Sequence, residues 1–196
     1  TERGETATGV FLDIQGAFAS TPHALILCRL RELGVPEYLW RFFDVWLRQQ
    51  RMFVQIGRHH SPMFPVNIGV VEGGPASPLQ FILVLNSLPQ RLDAYAGVPG
   101  YGLSVGTDVT LVHKWFADDG GLWGRSATEV QPLLDVCADE TEALCMLFNV
   151  GPTKTAGLMM LPTAKTPRAR ARRHLQQLPP RLTLGSEDEP LATAYE

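Results

Sequence analysis

The sequence predicts an α+β fold, and three observations carry that expectation. Short apolar runs of strand length are interspersed irregularly with longer stretches of helical period, two of the runs flank a tight acidic turn, and 45% apolar content over 196 residues suffices for one sizeable core. Residues 9–14 (Gly-Val-Phe-Leu-Asp-Ile) read as a buried strand ending at a turn by Gly16, with one aspartate inside an otherwise apolar run. Thr21 as N-cap and Pro22 at the first helical position open a helix that runs to a stop at Gly34. Pro36 opens a second helix, through residue 50, and the crowding of Leu39, Trp40, Phe42, Phe43, Val45, Trp46 and Leu47 predicts that it is largely buried.

Residues 52–56 and 63–70 are extended runs about the polar, turn-prone stretch 57–61, which predicts a hairpin. One long apolar helix is expected over 77–95. Residues 109–116 and 120–123 then flank Ala117-Asp118-Asp119 as two strands joined by a tight turn. Ser126-Ala127-Thr128-Glu129 spells a capping box, so a helix follows with Val130, Leu133, Leu134, Val136, Cys137, Leu144 and Leu147, although Pro132 weakens its first turn. Residues 156–161 read as a last strand. Beyond Pro162 the chain turns to Pro, Arg, Gln and acidic residues without periodicity, so the domain is placed at 1–162 and a linker or disordered tail at 163–196.

A formal net charge of −3 argues against a protein whose whole surface attracts nucleic acid, so any such contact is local. The three cysteines, Cys28, Cys137 and Cys145, are odd in number and lack metal-ligand spacing, which reads as buried free thiols in a reducing compartment. No apolar run approaches the roughly 20 residues of a membrane span, and no secretory leader pattern is present. An intracellular protein without a membrane partner is expected, nucleus and cytoplasm being indistinguishable. The first residue is not Met, so a piece of a larger protein is expected.

Three acids stand out: Asp13 at the end of a buried strand, and Asp118-Asp119 in a hairpin turn about a hundred residues later. Phosphoryl transfer by divalent cations needs carboxylates from separate rigid elements converging on two ions roughly 4 Å apart. Adjacent acids in a turn are also ordinary solvated turn formers. The apolar strands on both sides of the pair, and the acid inside the first strand, favour the metal reading.

The motifs resemble those of reverse transcriptases. Phe11-Leu12-Asp13-Ile14-Gln15-Gly16-Ala17-Phe18 resembles motif A, Gly69-Val70-Val71-Glu72-Gly73-Gly74-Pro75-Ala76-Ser77-Pro78-Leu79 motif B, and Phe116-Ala117-Asp118-Asp119 motif C. Asn149-Val150-Gly151-Pro152-Thr153-Lys154-Thr155 resembles motif D. The four occur in the family's order, and their style is closest to non-LTR retrotransposons. The resemblance implies a polymerase palm, with an antiparallel ferredoxin-like sheet backed by helices and part of the fingers. It implies RNA-directed DNA polymerisation with two magnesium ions, manganese being the alternative. Its partners would be an RNA template, a DNA primer, deoxynucleoside triphosphates and the rest of a retroelement polyprotein: fingers, thumb and endonuclease.

By the same resemblance Asp13 and Asp118 are the metal ligands, Asp119 is the second, more peripheral acid of the metal site, and the Ile14 carbonyl completes one ion's shell. Phe18 lies under the incoming sugar, where a ring excludes a 2′-hydroxyl, or is an ordinary core residue. Glu72 and Gly73 lie at the nucleotide. Lys154 lies near the triphosphate as a proton donor to pyrophosphate, or is an exposed strand-edge lysine. Two positions depart from the family: Ala19 replaces the usual acid after the motif A aromatic, and Glu72 replaces glutamine. A carboxylate beside the triphosphate costs on the order of 1 kcal/mol in a partly buried site. These departures keep open an inactive palm remnant that binds nucleic acid or serves structurally, and an unrelated palm-like enzyme such as a nucleotide cyclase is a third reading. In the tail, Lys165, Arg168, Arg170, Arg172 and Arg173 either hold template or primer phosphates or solubilise a linker.

Overall fold

The computed structural model describes residues 6–105, 109–150, 154–160 and 192–195. In chain order they form β1 (Ala7–Asp13), α1 (Ala17–Ser20), α2 (His23–Glu32), α3 (Glu37–Arg48), β2 (Arg51–Met52), β3 (Gln55–Ile56), β4 (His59–His60) and β5 (Phe64–Pro65). There follow α4 (Ser77–Leu85), α5 (Ser87–Asp93), β6 (Leu103–Val105), β7 (Val109–Leu111), β8 (His113–Phe116), β9 (Asp119–Gly124), α6 (Ala127–Ala143), β10 (Ala156–Met160) and β11 (Ala192–Tyr195). They divide into two units: one within Thr1–Gln15, Ser87–Ala143 and Leu147–Glu196, the other Gly16–Asn86 with Leu144–Met146. The α+β class expected from the sequence is present.

The first unit is a five-stranded sheet in the order β11-β10-β1-β9-β8. The pairs β10/β1, β1/β9 and β9/β8 are antiparallel, as expected, while β11 joins β10 in parallel. Of the tail at 163–196, including its five cations, only the four residues of β11 are among those described. Because side chains alternate along a strand, register assigns each residue a face. Thr8, Val10 and Leu12, opposite Gly124, Leu122 and Gly120, lie on the buried face, where α6 packs. The approach is close: a Cβ on Gly124 would come within 2.9 Å of the Val130 side chain. The helix presents Val130, Leu133, Leu134, Cys137 and Thr141, a stripe of 3- and 4-residue spacing, and α5 packs on it with Leu88 and Leu92 fully buried. Pro132 forfeits one backbone bond inside α6, and burial of this stripe outweighs the loss.

In the second unit α2 packs on α3 and α4, around Ile26, Leu30, Leu47, Phe81 and Val84. Several expectations need correction. The helix predicted over 77–95 is two, α4 and α5, divided at Asn86, because Pro89 has no N–H for the Leu85 carbonyl. The helix at α3 is not largely buried: only Leu47 is, and Tyr38, Phe42 and Val45 are exposed on one stripe. Its aromatic residues stack along the helix instead, Phe43 edge-on to both Phe42 and Trp46, with Arg31 of α2 4.0 Å over the Trp40 ring. The hairpin expected from 52–56 and 63–70 splits into two ladders of two residue pairs, β2/β5 and β3/β4.

Helix starts differ as well. Pro22, not Thr21, is the N-cap of α2, and the buried Thr21 hydroxyl donates back to the Ala17 carbonyl at 2.8 Å. At α6 the Glu129 amide donates to Ser126 Oγ at 3.3 Å, but the Glu129 carboxylate accepts from the Arg125 amide rather than that of Ser126, so the box is half made. Leu144 and Leu147 lie beyond the end of α6. Of the free cysteines, only Cys137 is buried; Cys28 and Cys145 are exposed.

Candidate active site

Asp13 is the last residue of β1, and the main chain around it is held from both sides. The Asn149 amide donates to the Asp13 carbonyl and the Gln15 amide to the Leu147 carbonyl, both at 2.8 Å, making Ile14 and Phe148 an antiparallel bridge. In that pattern the bridge residue's own N–H and C=O turn the other way. There the Ile14 amide donates to the Asp118 carbonyl at 3.3 Å. The motif A aspartate and the acidic turn are thus coupled through backbone.

The turn is Ala117-Asp118, closing a hairpin in which Phe116 pairs with Asp119. Ala117 has φ 52°, the left-handed region that a two-residue hairpin turn requires and that an alanine adopts under strain. In the β1/β9 ladder Asp13 stands directly opposite Asp119. Directly opposed residues share a face, with Cβ atoms about 5 Å apart, so two carboxylates face one another at the strand ends. They lie on the face that carries Phe11 and Trp123, whose rings meet edge to face at 6.5 Å, and not on the face against α6. Two like charges held opposite one another are unfavourable unless a cation joins them. Lys154 supplies one, its Nζ 3.3 Å from Asp13 Oδ1.

Hard divalent cations take oxygen ligands, and these carboxylates are the right donors at strand ends. Among the described residues, however, no group of three or more His, Cys, Asp and Glu is gathered at metal-ligating distance. The acids therefore offer an open acidic site, not a closed cage.

Phe18, Glu72 and Gly73 belong to the second unit. Phe18, in α1, is half-buried with its ring edge-on to the fully buried Phe81 at 5.7 Å. Glu72 and Gly73 are the exposed central residues of a turn closed by the Gly74 amide on the Val71 carbonyl, with Gly73 at φ +79° as a type II turn demands. The approach to this turn is fastened by His23, which the sequence reasoning passed over: its Nε2 lies 2.6 Å from the Gly69 carbonyl. A histidine at the start of an apolar helical stripe was the available signal. Asn149, inside motif D, has no side-chain role in the sequence pattern, yet its amide is what holds the Asp13 carbonyl. Residues 151–153 of that motif lie outside the described residues.

Opposed acids at the ends of adjoining strands, with a lysine on one of them, define an α+β protein that carries an acidic strand-end site. The chain belongs to the reverse transcriptase (RNA-dependent DNA polymerase) family, whose model matches residues 1–178. It is similar to the retrovirus-related Pol polyprotein from type-2 retrotransposable element R2DM of Drosophila melanogaster, 29% identical over 154 residues, 79% of this chain and 14% of that protein. It is also similar to a retrovirus-related Pol polyprotein from type-1 retrotransposable element R2 of Popillia japonica, 28% identical over 117 residues, 60% of this chain and 19% of that protein. The chain spans less than a fifth of the length of these curated relatives. The non-LTR style expected from the motifs agrees with both.

Proposed function

We propose that the chain is the palm of an RNA-directed DNA polymerase that adds deoxynucleotides to a primer 3′-hydroxyl on an RNA template, as part of a longer retroelement protein. The observation that carries this reading is the register that opposes Asp13 to Asp119 and fastens the Asp118 carbonyl to Ile14, in a chain of the reverse transcriptase family. The strand order β10-β1-β9-β8, with α5 and α6 packed on it, supports the ferredoxin-like palm.

Asp13, Asp118 and Asp119, with the Ile14 carbonyl, are the groups to hold two magnesium or manganese ions. Ions bound there supply activation of the attacking hydroxyl and neutralisation of the leaving pyrophosphate. The backbone ties on either side of Asp13 keep its carboxylate in place without a reorganisation cost. Lys154, already at Asp13, is within reach of a triphosphate bound to the acids and is the proton donor to the leaving group. Phe18 walls the sugar, Gly73 lets the backbone approach the nucleotide, and the cations of the tail, Lys165 to Arg173, hold template or primer phosphates.

The inactive-remnant reading is favoured by Ala19 and by Glu72, an exposed carboxylate without a partner among the described residues. Manganese binding separates the two. With the parent chain, electron paramagnetic resonance should detect bound Mn2+, and with the longer retroelement protein primer extension on an oligo(dT)-primed poly(rA) template should follow. Asp13→Asn and Asp118→Asn should each lose both. Parent-like Mn2+ binding in both variants would remove the acids from the site, and no Mn2+ binding by the parent would leave the remnant.

A further inference from the structure

We infer that His23 is a positioning residue for nucleotide addition, because it ties the segment entering the Glu72-Gly73 turn to the start of α2, directly after the short helix α1 that carries Phe18. This rests on the polymerase reading above. His23 shares a stripe of α2 with Ile26 and Leu30, both buried, and is itself only 9% exposed. An apolar side chain would fill that position at no polar cost, whereas a buried imidazole needs a partner. Its partner is the Gly69 carbonyl at 2.6 Å. A carbonyl only accepts, so Nε2 carries the proton and donates.

The same glycine is held at its other end. The Gly69 amide donates to the Thr21 carbonyl at 2.8 Å and the Val70 amide to the Phe18 carbonyl at 2.7 Å, with Pro22 and Ile68 bridged beside them. Gly69 thus spends both its N–H and its C=O on residues 21 and 23, at φ +93°. Beyond it, Ser77 Oγ donates to the Val71 carbonyl at 2.6 Å and pins the far side of the turn. The backbone of Phe18 and the turn of Glu72 and Gly73 are therefore one latched assembly, and His23 is its only side-chain tie to Gly69 among the described residues. Loosening it lets the turn move relative to Phe18, across the two positions assigned to the incoming nucleotide.

The choice of substitution makes the inference sharp. Glutamine places its amide nitrogen where Nε2 stands and keeps the donor; asparagine places it near Nδ1, too short to reach. In the full chain, His23→Asn should speed hydrogen exchange at the Gly69 and Val70 amides about tenfold. In the longer retroelement protein it should also raise KM for dTTP in primer extension about five- to tenfold, the worth of one such bond, with kcat little changed. His23→Gln should match the parent in both. Amide exchange in His23→Asn equal to the parent overturns the tie. Faster exchange with an unchanged KM overturns the positioning role and leaves a packing residue. A parent chain that binds no Mn2+ ends the polymerase reading and the positioning role with it, while amide exchange still decides whether the tie exists.

Discussion

Replacing Gly69 with alanine tests how the motif B segment is seated. A Cβ there would lie 2.7 Å from the Ala19 carbonyl oxygen and 3.2 Å from its carbon, both backbone atoms that cannot swing aside. The residue also sits at φ +93°, which for an L side chain costs about 1–2 kcal/mol. Relief of the contact needs the segment around Gly69 to move off α1, which stretches the bonds to Thr21, Phe18 and His23, each worth about 0.5–1.5 kcal/mol net. Losing one or two of them brings the total to about 3 kcal/mol. Gly73 provides the control: at φ +79° it has the same backbone requirement, but a Cβ there would meet nothing within 4 Å. Gly73→Ala should therefore cost only about 1–2 kcal/mol. For a chain of this size each kcal/mol moves the melting temperature by about 2–4 °C, so thermal melts should separate the two variants by several degrees. Equal shifts for the two would refute the argument that contact with Ala19, rather than backbone conformation, fixes Gly69.

Lys154→Met removes the cation that pairs with Asp13 at a half-exposed position, a contact worth at most about 1 kcal/mol. Mn2+ affinity should then rise by up to about fivefold while the rate of nucleotide addition falls; weaker Mn2+ binding would mean that Lys154 supports the ion rather than competing with it. Thiol labelling of the native chain at pH 8 should be fast at Cys145 and slower at Cys28. The Glu32 carboxylate, which accepts the Cys28 S–H and repels the thiolate, raises that thiol above its ordinary value. Cys137, raised further by burial, should react only on unfolding, and labelling of Cys137 in the folded chain would contradict the packing of α6.

The sequence by itself determined the elements and the acids: strand patterns around Asp13 and around Asp118-Asp119, an acidic turn between two short apolar runs, and the motif order of the family. Those are local signals, fixed by a period of two or 3.6 residues and by turn chemistry. Pro89 was equally legible as a helix breaker, and the expected continuous helix overlooked it. The burial of α3 was misread because apolar content says nothing of which stripe finds a neighbour; Leu47 did, and Tyr38, Phe42 and Val45 did not. Tertiary structure alone decided which atoms meet. The Asp13–Asp119 register comes from pairing β1 with β9, the Lys154 contact spans 141 positions of sequence, and the His23–Gly69 tie spans 46. Such contacts carry no periodicity along the chain, because each depends on two distant segments arriving in one register, and that register is set by the summed packing of the sheet on α6 and of α2 on α4.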